Sequence, residues 1–422
     1  SIPTDSQIDA AVPSDGTPVR SLTNAVLKDA SASLRSSIAF GSQKKIVLIG
    51  DSITNQNYTF DATNQNLTNI GYFNHANLAL GNVFDVVNYA GVSGEELSEI
   101  ESRFQTDVVD FSPSYVFIQG GTNDLIGSVT VSDMVTSLQA MIDSAIDNNI
   151  VPIISTVTPT SSISREADWH EYNRRVKSIS ISQGIYCVDF SKALTDPQNS
   201  VYPYSLPGIL YDGLHPNHYG AYLMGLEVAE VLDREKNTVS FGPSTNSDDN
   251  NYVLNSLNSG TGGTVSSGVA PDDVTVFGTV PGGSALTGSI VDDGSKRIFR
   301  LDITGSTYFS TFTRYDVGSP SANKRYTAFA KLRQCSGTGV DQFSLRLRLR
   351  ESGADQVTAY TMRKWASPTV DVDAYSIGES LLRTIPIDSD ADTDSMIVDL
   401  FFNCVTGVVE IESIFLLEED IT

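Results

Sequence analysis

Ser52 ends an apolar run, Ile46-Val47-Leu48-Ile49, that stops at Gly50-Asp51 and delivers a hydroxyl. Such a run reads as a parallel strand buried on both faces, and open α/β sheets gather their chemistry beyond the carboxyl ends of these strands. A serine hydroxyl attacks a carbonyl only if a base takes its proton, an acid orients that base, and donors hold the oxyanion. Four histidines are available: His75, His170, His215 and His218. Only His215 has a suitably spaced acid, Asp212, in Tyr211-Asp212-Gly213-Leu214-His215-Pro216-Asn217-His218. Within a Gly- and Pro-containing loop this spacing can set the carboxylate on Nδ1 and leave Nε2 for the serine. Apolar residues at Tyr222, Leu223, Leu226, Ala229 and Leu232 follow at helical spacing, so the pair is expected on the loop feeding a helix, with His218 at the helix start.

Oxyanion donors are expected at the ends of neighbouring strands. The run Val86-Val87-Asn88-Tyr89-Ala90 leads to Gly91, whose N–H has no side chain to obstruct it. The run Tyr115-Val116-Phe117-Ile118 leads through Gln119-Gly120-Gly121-Thr122 to Asn123, a side-chain amide donor. Each residue alone also suits a structural task, since Gly, Asp, Ser and Asn recur in turns and helix caps. Asp51 is read in that way, as a loop hydrogen-bond acceptor. The four segments together, each at a different strand end, favour catalysis.

Gly50-Asp51-Ser52-Ile53, Gly91, Gly121-Thr122-Asn123-Asp124 and Asp212-Gly213-Leu214-His215 resemble the four ordered blocks of the SGNH (GDSL) hydrolase family. The resemblance covers roughly residues 44 to 236 and implies a three-layer α/β/α fold with a serine esterase site. It implies Ser52 as nucleophile, His215 as acid–base and Asp212 as its orienter, with Ser52 N–H, Gly91 N–H and Asn123 as the oxyanion hole. The Gly-x-Ser-x-Gly elbow of ordinary α/β-hydrolases is absent, because Thr54 stands two residues after the serine.

Independently of the family, the runs beginning near Ile46, Val83, Tyr115, Ile150 and Ile185 predict five buried strands. Between them, Met134, Leu138, Met141, Ile142, Ala145 and Ile146 form a helical stripe after a Ser132-Asp133 start signal. Strands alternating with helices predict a parallel, doubly wound sheet. Pro152 fits a strand only near its start or at an edge. Trp169, His170 and Tyr172, after the fourth strand, are candidates to border an acyl or sugar pocket, with packing as the alternative.

The 422 residues divide into an N-terminal segment (1–40), the hydrolase region (41–236), a polar linker (237–249) and a region of short strands (250–422). Runs such as 297–301, 326–332, 343–349 and 408–416 predict an all-β sandwich or jelly roll, and the strict alternation of Phe343 to Leu349 predicts one buried and one solvated face. Gly260-Thr261-Gly262-Gly263-Thr264 and the closing strand 411–417 resemble the jelly-roll, carbohydrate-binding-module-like domains appended to secreted and viral esterases. Trp365, Tyr360 and Tyr375 are candidate sugar platforms, or core residues. The acidic loop 388–394 departs from a calcium-binding EF-hand, with Thr393 where glycine is needed, and reads as solvated.

A formal charge of −24, from 51 acidic against 27 basic side chains, opposes nucleic acid and anionic membranes as partners. No apolar stretch reaches the ~18 residues of a membrane span. Three cysteines and no Cys/His cluster of zinc spacing leave no metal or cofactor implied; Cys335 and Cys404 are able to bridge but need not. Gly16-Thr17-Pro18-Val19-Arg20 and the residues after it resemble segments that precede the functional domains of bacteriophage tail-fibre and tailspike proteins. Leu22, Val26, Leu27, Ala30, Leu34 and Ile38 then fit an amphipathic helix. That context favours a homotrimer on a virion; a secreted polymer esterase would be an extracellular monomer, and the lack of a signal peptide favours the virion. The expected function is removal of acetyl groups from an acetylated polysaccharide. A lipid esterase or thioesterase, and a non-catalytic glycan-binding adhesin, are the alternatives.

Overall fold

A computed structural model describes residues 44–61, 66–68, 71–81, 83–198, 202, 204–236, 253, 257–292, 294, 296–338, 342–360, 375–377, 380–384 and 386–420. Segments 1–40 and 237–249 and Trp365 lie outside the described residues.

The strands of the first half are β1 (Lys44–Gly50), a hairpin of β2 (Thr59–Asp61) and β3 (Asn66–Thr68), then β4 (Phe84–Gly91), β5 (Tyr115–Ile118), β6 (Val151–Ser155) and β7 (Tyr186–Val188). Its helices are α1 (Ser52–Asn55), α2 (Tyr72–Ala79), α3 (Leu97–Ser102), α4 (Phe104–Asp107), α5 (Thr122–Ile126), α6 (Val131–Asp147), α7 (Glu166–Gln183), α8 (Phe190–Leu194) and α9 (His218–Val231). Five strands form one sheet in the order β4-β1-β5-β6-β7, all parallel. The chain leaves β1 for β4 on one side and later crosses to β5 on the other. That reversal of direction opens a crevice at the carboxyl end of β1, where Ser52 sits.

Alternate residues of each strand feed opposite layers. Ile46, Leu48, Tyr115, Phe117 and Ile153 pack with Tyr72, Phe73, Phe190, Met224 and Val228 of α2, α8 and α9. Val47, Ile49, Val116, Ile118 and Ile154 pack with Ile100, Met134, Leu138, Met141 and Val176 of α3, α6 and α7. The result is the three-layer α/β/α arrangement, each fully buried large side chain contributing about 1.5–3 kcal/mol. Pro152 is the second residue of β6, and pairing with β7 begins only at Ile153, so its missing N–H leaves no ladder bond unmade. Helix α6 starts before the expected Ser132-Asp133, because the Thr130 hydroxyl accepts the Asp133 N–H and caps it.

The second half is all-β: β8 (Val274–Gly278), β9 (Ala285–Asp292), β10 (Arg297–Tyr315), β11 (Lys324–Thr338), β12 (Gln342–Glu351), β13 (Ala354–Tyr360), β14 (Tyr375–Ile377), β15 (Ser380–Arg383), β16 (Ile387–Asp388) and β17 (Ser395–Asp420). Long β17 pairs antiparallel with β10, β11 and β12, and inward residues from these strands, such as Phe299, Ala328, Leu345, Leu347 and Val398, form one apolar cluster. On β12 the expected alternation holds for the buried face, but the outer face is not simply solvated. Arg346 and Arg348 lie over the wholly buried Asp399, at 2.7 and 3.1 Å, because an isolated buried carboxylate requires cationic donors. Cys187, Cys335 and Cys404 are free thiols. In the acidic loop the Asp390 carboxylate accepts from Asp392 N, Thr393 N and the Thr393 hydroxyl, an Asx-type turn.

The two halves meet along the free edge of β4. Strand β3 pairs in parallel with β13, Arg383 Nη1 lies 3.0 Å from Asp85 Oδ1, and Leu78 of α2 enters the apolar cluster of the all-β half.

Candidate active site

Strand β1 ends at Gly50, where only glycine fits, since a Cβ there would lie 2.3 Å from the Gln119 carbonyl oxygen. Asp51 then caps α1, its Oδ1 accepting the Ile53 N–H at 2.9 Å, and Ser52 is the first helical residue. Asp51 is completely buried and its Oδ2 accepts from Gln119 Nε2 at 3.2 Å, while Gln119 Oε1 takes the Thr54 hydroxyl at 2.8 Å. These bonds fix the serine turn to the end of β5, and Asp51 acts as the acceptor expected of it.

The Asp212 loop arrives from the other side. Asp212 Oδ1 accepts the N–H groups of Leu214 (3.0 Å) and His215 (2.7 Å), leaving Oδ2 for His215 Nδ1 at 2.7 Å. His215 Nε2 stands 2.8 Å from Ser52 Oγ. Gly213 supplies the left-handed φ of 84° that the turn needs, and its carbonyl is held by the Thr160 hydroxyl at 2.5 Å. Burial opposes ionisation of Asp212, but the hydrogen bonds from the His215 backbone, its ring and the Leu214 N–H outweigh it and hold the carboxyl below its ordinary value. Asn217 caps α9 by accepting from Tyr219 and Gly220, so His218 begins the helix as its position suggested.

Gly91 ends β4 directly beside α1: a Cβ there would fall 2.2 Å from Asn55 N. Its glycine is therefore required by packing against the serine helix as well as by any approach of substrate. Asn123 lies in the first turn of α5, half-buried, with Nδ2 donating to the Glu95 carbonyl at 2.8 Å. An amide carries two N–H groups, so the second remains for a ligand. Asp124 next to it is buried and accepts the Leu97 N–H, which ties α5 to α3.

Residues beyond these blocks complete the site. Tyr211 stacks on His215 with ring centroids 5.5 Å apart and planes 14° from parallel. Gln56 Nε2 donates to the Pro216 carbonyl at 3.2 Å, joining the serine helix to the histidine loop. Neither contact follows from residue spacing, since each joins segments distant in sequence or depends on ring orientation.

The pocket candidates of α7 require correction. Trp169 is 5% exposed, and its Nε1 donates to the carbonyls of Val157 and Thr158. Tyr172 is 1% exposed and its ring lies 3.0 Å from where a Cβ on Gly121 would stand. Both pack behind the strand-end loops rather than facing a ligand, because they lie on the face of α7 that covers the sheet. His170 is exposed on that helix, 3.7 Å from Glu166.

Residues 48–223 match the model of the GDSL-like Lipase/Acylhydrolase family. The chain carries a GDSL-family hydrolase domain. The matched span contains Ser52, Gly91, Asn123, Asp212 and His215. An uncharacterized lipoprotein of Bacillus subtilis (strain 168), YqeF, is 37% identical over 81 residues, which is 18% of this chain and 33% of that protein. The chain thus spans about a third of that relative's length. Among solved structures, the GDSL domain is similar to a member of the lipolytic protein G-D-S-L family from Veillonella parvula (22% identity, 45% of this chain and 99% of that one, TM-score 0.38). It is also similar to a catalytic mutant of an acetylxylan esterase from Geobacillus stearothermophilus (22% identity, 47% and 96%, TM-score 0.37).

Burial raises the Asp51 carboxyl to about 6, against bonds from Ile53 N–H and Gln119 that lower it. The native GDSL domain therefore keeps a proton that the unfolded chain releases near the ordinary aspartate value of 3.8. Stability falls as pH rises through this interval, because the unfolded state binds fewer protons there, and levels off above it, where both states have released the proton. Asp51→Asn retains an oxygen for Ile53 and removes the titration. Urea unfolding between about pH 4 and 6 should show a flatter stability profile for the variant than for wild type. Equal slopes would assign the pH dependence elsewhere.

Proposed function

We propose that the GDSL domain is a serine esterase that removes acetyl or other short acyl groups from a carbohydrate through an acyl-enzyme. The continuous relay Asp212 Oδ2 to His215 Nδ1 and His215 Nε2 to Ser52 Oγ, 2.7 and 2.8 Å, carries the proposal. Ser52 Oγ attacks the acyl carbonyl carbon as His215 Nε2 takes its proton, and the carbonyl electrons move to oxygen. Ser52 N–H, Gly91 N–H and Asn123 Nδ2 hold that oxyanion, each such donor being worth about 3–4 kcal/mol of transition-state stabilisation. The tetrahedral species collapses, the sugar oxygen leaves with the proton from His215, and the acyl group stays on Ser52. Water then attacks the ester, gives a proton to His215, and the carboxylic acid and free serine result.

Charge supports a carbohydrate rather than a lipid: a net charge of −24 suits a water-soluble polymer better than an anionic interface. The substrate class is tested by acyl-chain length. Turnover of 4-nitrophenyl esters should fall beyond about four carbons, and acetate should be released from one or more of a panel of acetylated polysaccharides. Turnover that rises with chain length would make the domain a lipid esterase or thioesterase. Glycan binding with no acetate release would make the chain an adhesin.

A further inference from the structure

We propose that Arg103 is a positioning residue that holds all three oxyanion donors of Ser52 in place, an inference that rests on the esterase proposal. Arg103 lies in the kink between α3 and α4, with its side chain 16% exposed. Its Nη2 donates to the carbonyl oxygens of Gly50 (3.2 Å) and Ala90 (2.9 Å). Its Nε donates to Glu95 Oε2 at 2.8 Å and its Nη1 to Asp107 Oδ2 at 2.7 Å. One planar guanidinium thus reaches the last residue of β1, the end of β4 and the loop before α3.

Each of those anchors leads to one donor. The Gly50 carbonyl ends the strand two residues before Ser52. The Ala90 carbonyl belongs to the same peptide plane as the Gly91 N–H, and in a planar trans peptide the two groups point in opposite directions. A carbonyl fixed on Arg103 therefore fixes where the Gly91 N–H points. Glycine is the residue at which that peptide rotates most freely, so an external anchor has the most to restrain there. Glu95, gripped through its carboxylate, presents its own main-chain carbonyl to Asn123 Nδ2 at 2.8 Å. The fixed fork of donors matters, because a lysine ammonium is a point charge that cannot hold these directions at once.

A misplacement of about 1 Å in a catalytic group costs on the order of 100-fold in rate. With 4-nitrophenyl acetate, Arg103→Gln and Arg103→Lys should lower kcat by about 100-fold while KM stays within about threefold. Affinity for an alkylboronic acid, whose tetrahedral adduct on Ser52 occupies the oxyanion site, should fall in proportion to kcat. A merely structural residue would not couple those two readouts. Glu95→Gln keeps the main-chain carbonyl but weakens the grip, and should give the same pattern at about 10-fold. It decides the matter if neither Arg103 variant folds. Unchanged kcat in a folded variant, a loss carried by KM, or a loss of kcat with intact boronate affinity would overturn the role of Arg103. Full turnover by Ser52→Ala would instead overturn the esterase proposal, so the two failures are distinguishable.

Discussion

Ser52→Ala lowers kcat for a small acetyl ester by on the order of 10⁶-fold, the loss seen when the nucleophile of a serine triad is removed, with little change in melting temperature. The kinetic loss is large because no other hydroxyl is hydrogen-bonded to His215 Nε2 among the described residues. Stability is retained because Asp51, not Ser52, caps α1, and alanine is a favourable residue at the first helical position. Steady-state kinetics and thermal unfolding on the same preparation check both halves of the statement. A folded variant with most of the wild-type turnover would show that the acyl group never passes through this serine.

Asp212→Asn lowers kcat by about 10⁴-fold. The carboxylate accepts the His215 Nδ1 proton, which leaves Nε2 as the lone-pair nitrogen facing Ser52. An asparagine amide that donates to Nδ1 favours the other tautomer, with a proton on Nε2 where the base is needed. Oδ1 in either residue can accept from Leu214 and His215 N–H, so the loop should keep its shape. Because hydrogen bonds from His215 and Leu214 hold the Asp212 carboxyl below its ordinary value, wild type keeps it ionised at neutral pH, and its protonation does not limit activity there. A pH–rate profile of both proteins separates the tautomer effect from unfolding: the variant should remain folded at neutral pH and slow throughout. A variant within about tenfold of wild type would show that Asp212 is not needed to orient the base.

The residues of the relay were legible because each carries its own local signal. Ser52 follows an apolar strand, Gly91 ends the strand beside it, Asn123 comes just after the next, and Asp212 lies three residues before His215. The same logic failed for Trp169 and Tyr172. Their type and nearness to a strand end suggested a pocket, but only the packing of α7 shows that both lie on its sheet-facing side. Arg103 and Tyr211 went unread for a different reason. Arg103 acts by bonding main-chain carbonyls, which every residue has and no residue type marks. In the second half, the buried face of β12 was readable from its alternation, whereas the arginines on its other face gained a buried partner from β17, about fifty residues away.

By itself the sequence determined the alternation of strands and helices, the members of the hydrogen-bonded Ser52, His215 and Asp212 group, and an all-β second half. These depend on periodicities of two and 3.6 residues and on short spacings, so local chemistry suffices. Tertiary structure alone decided the edge-to-edge joining of β3 with β13, the inward turn of Trp169 and Tyr172, and the guanidinium that ties three strand-end loops together. Those features arise from contacts between segments tens to hundreds of residues apart, and their geometry exists only once the sheet has set its strand order.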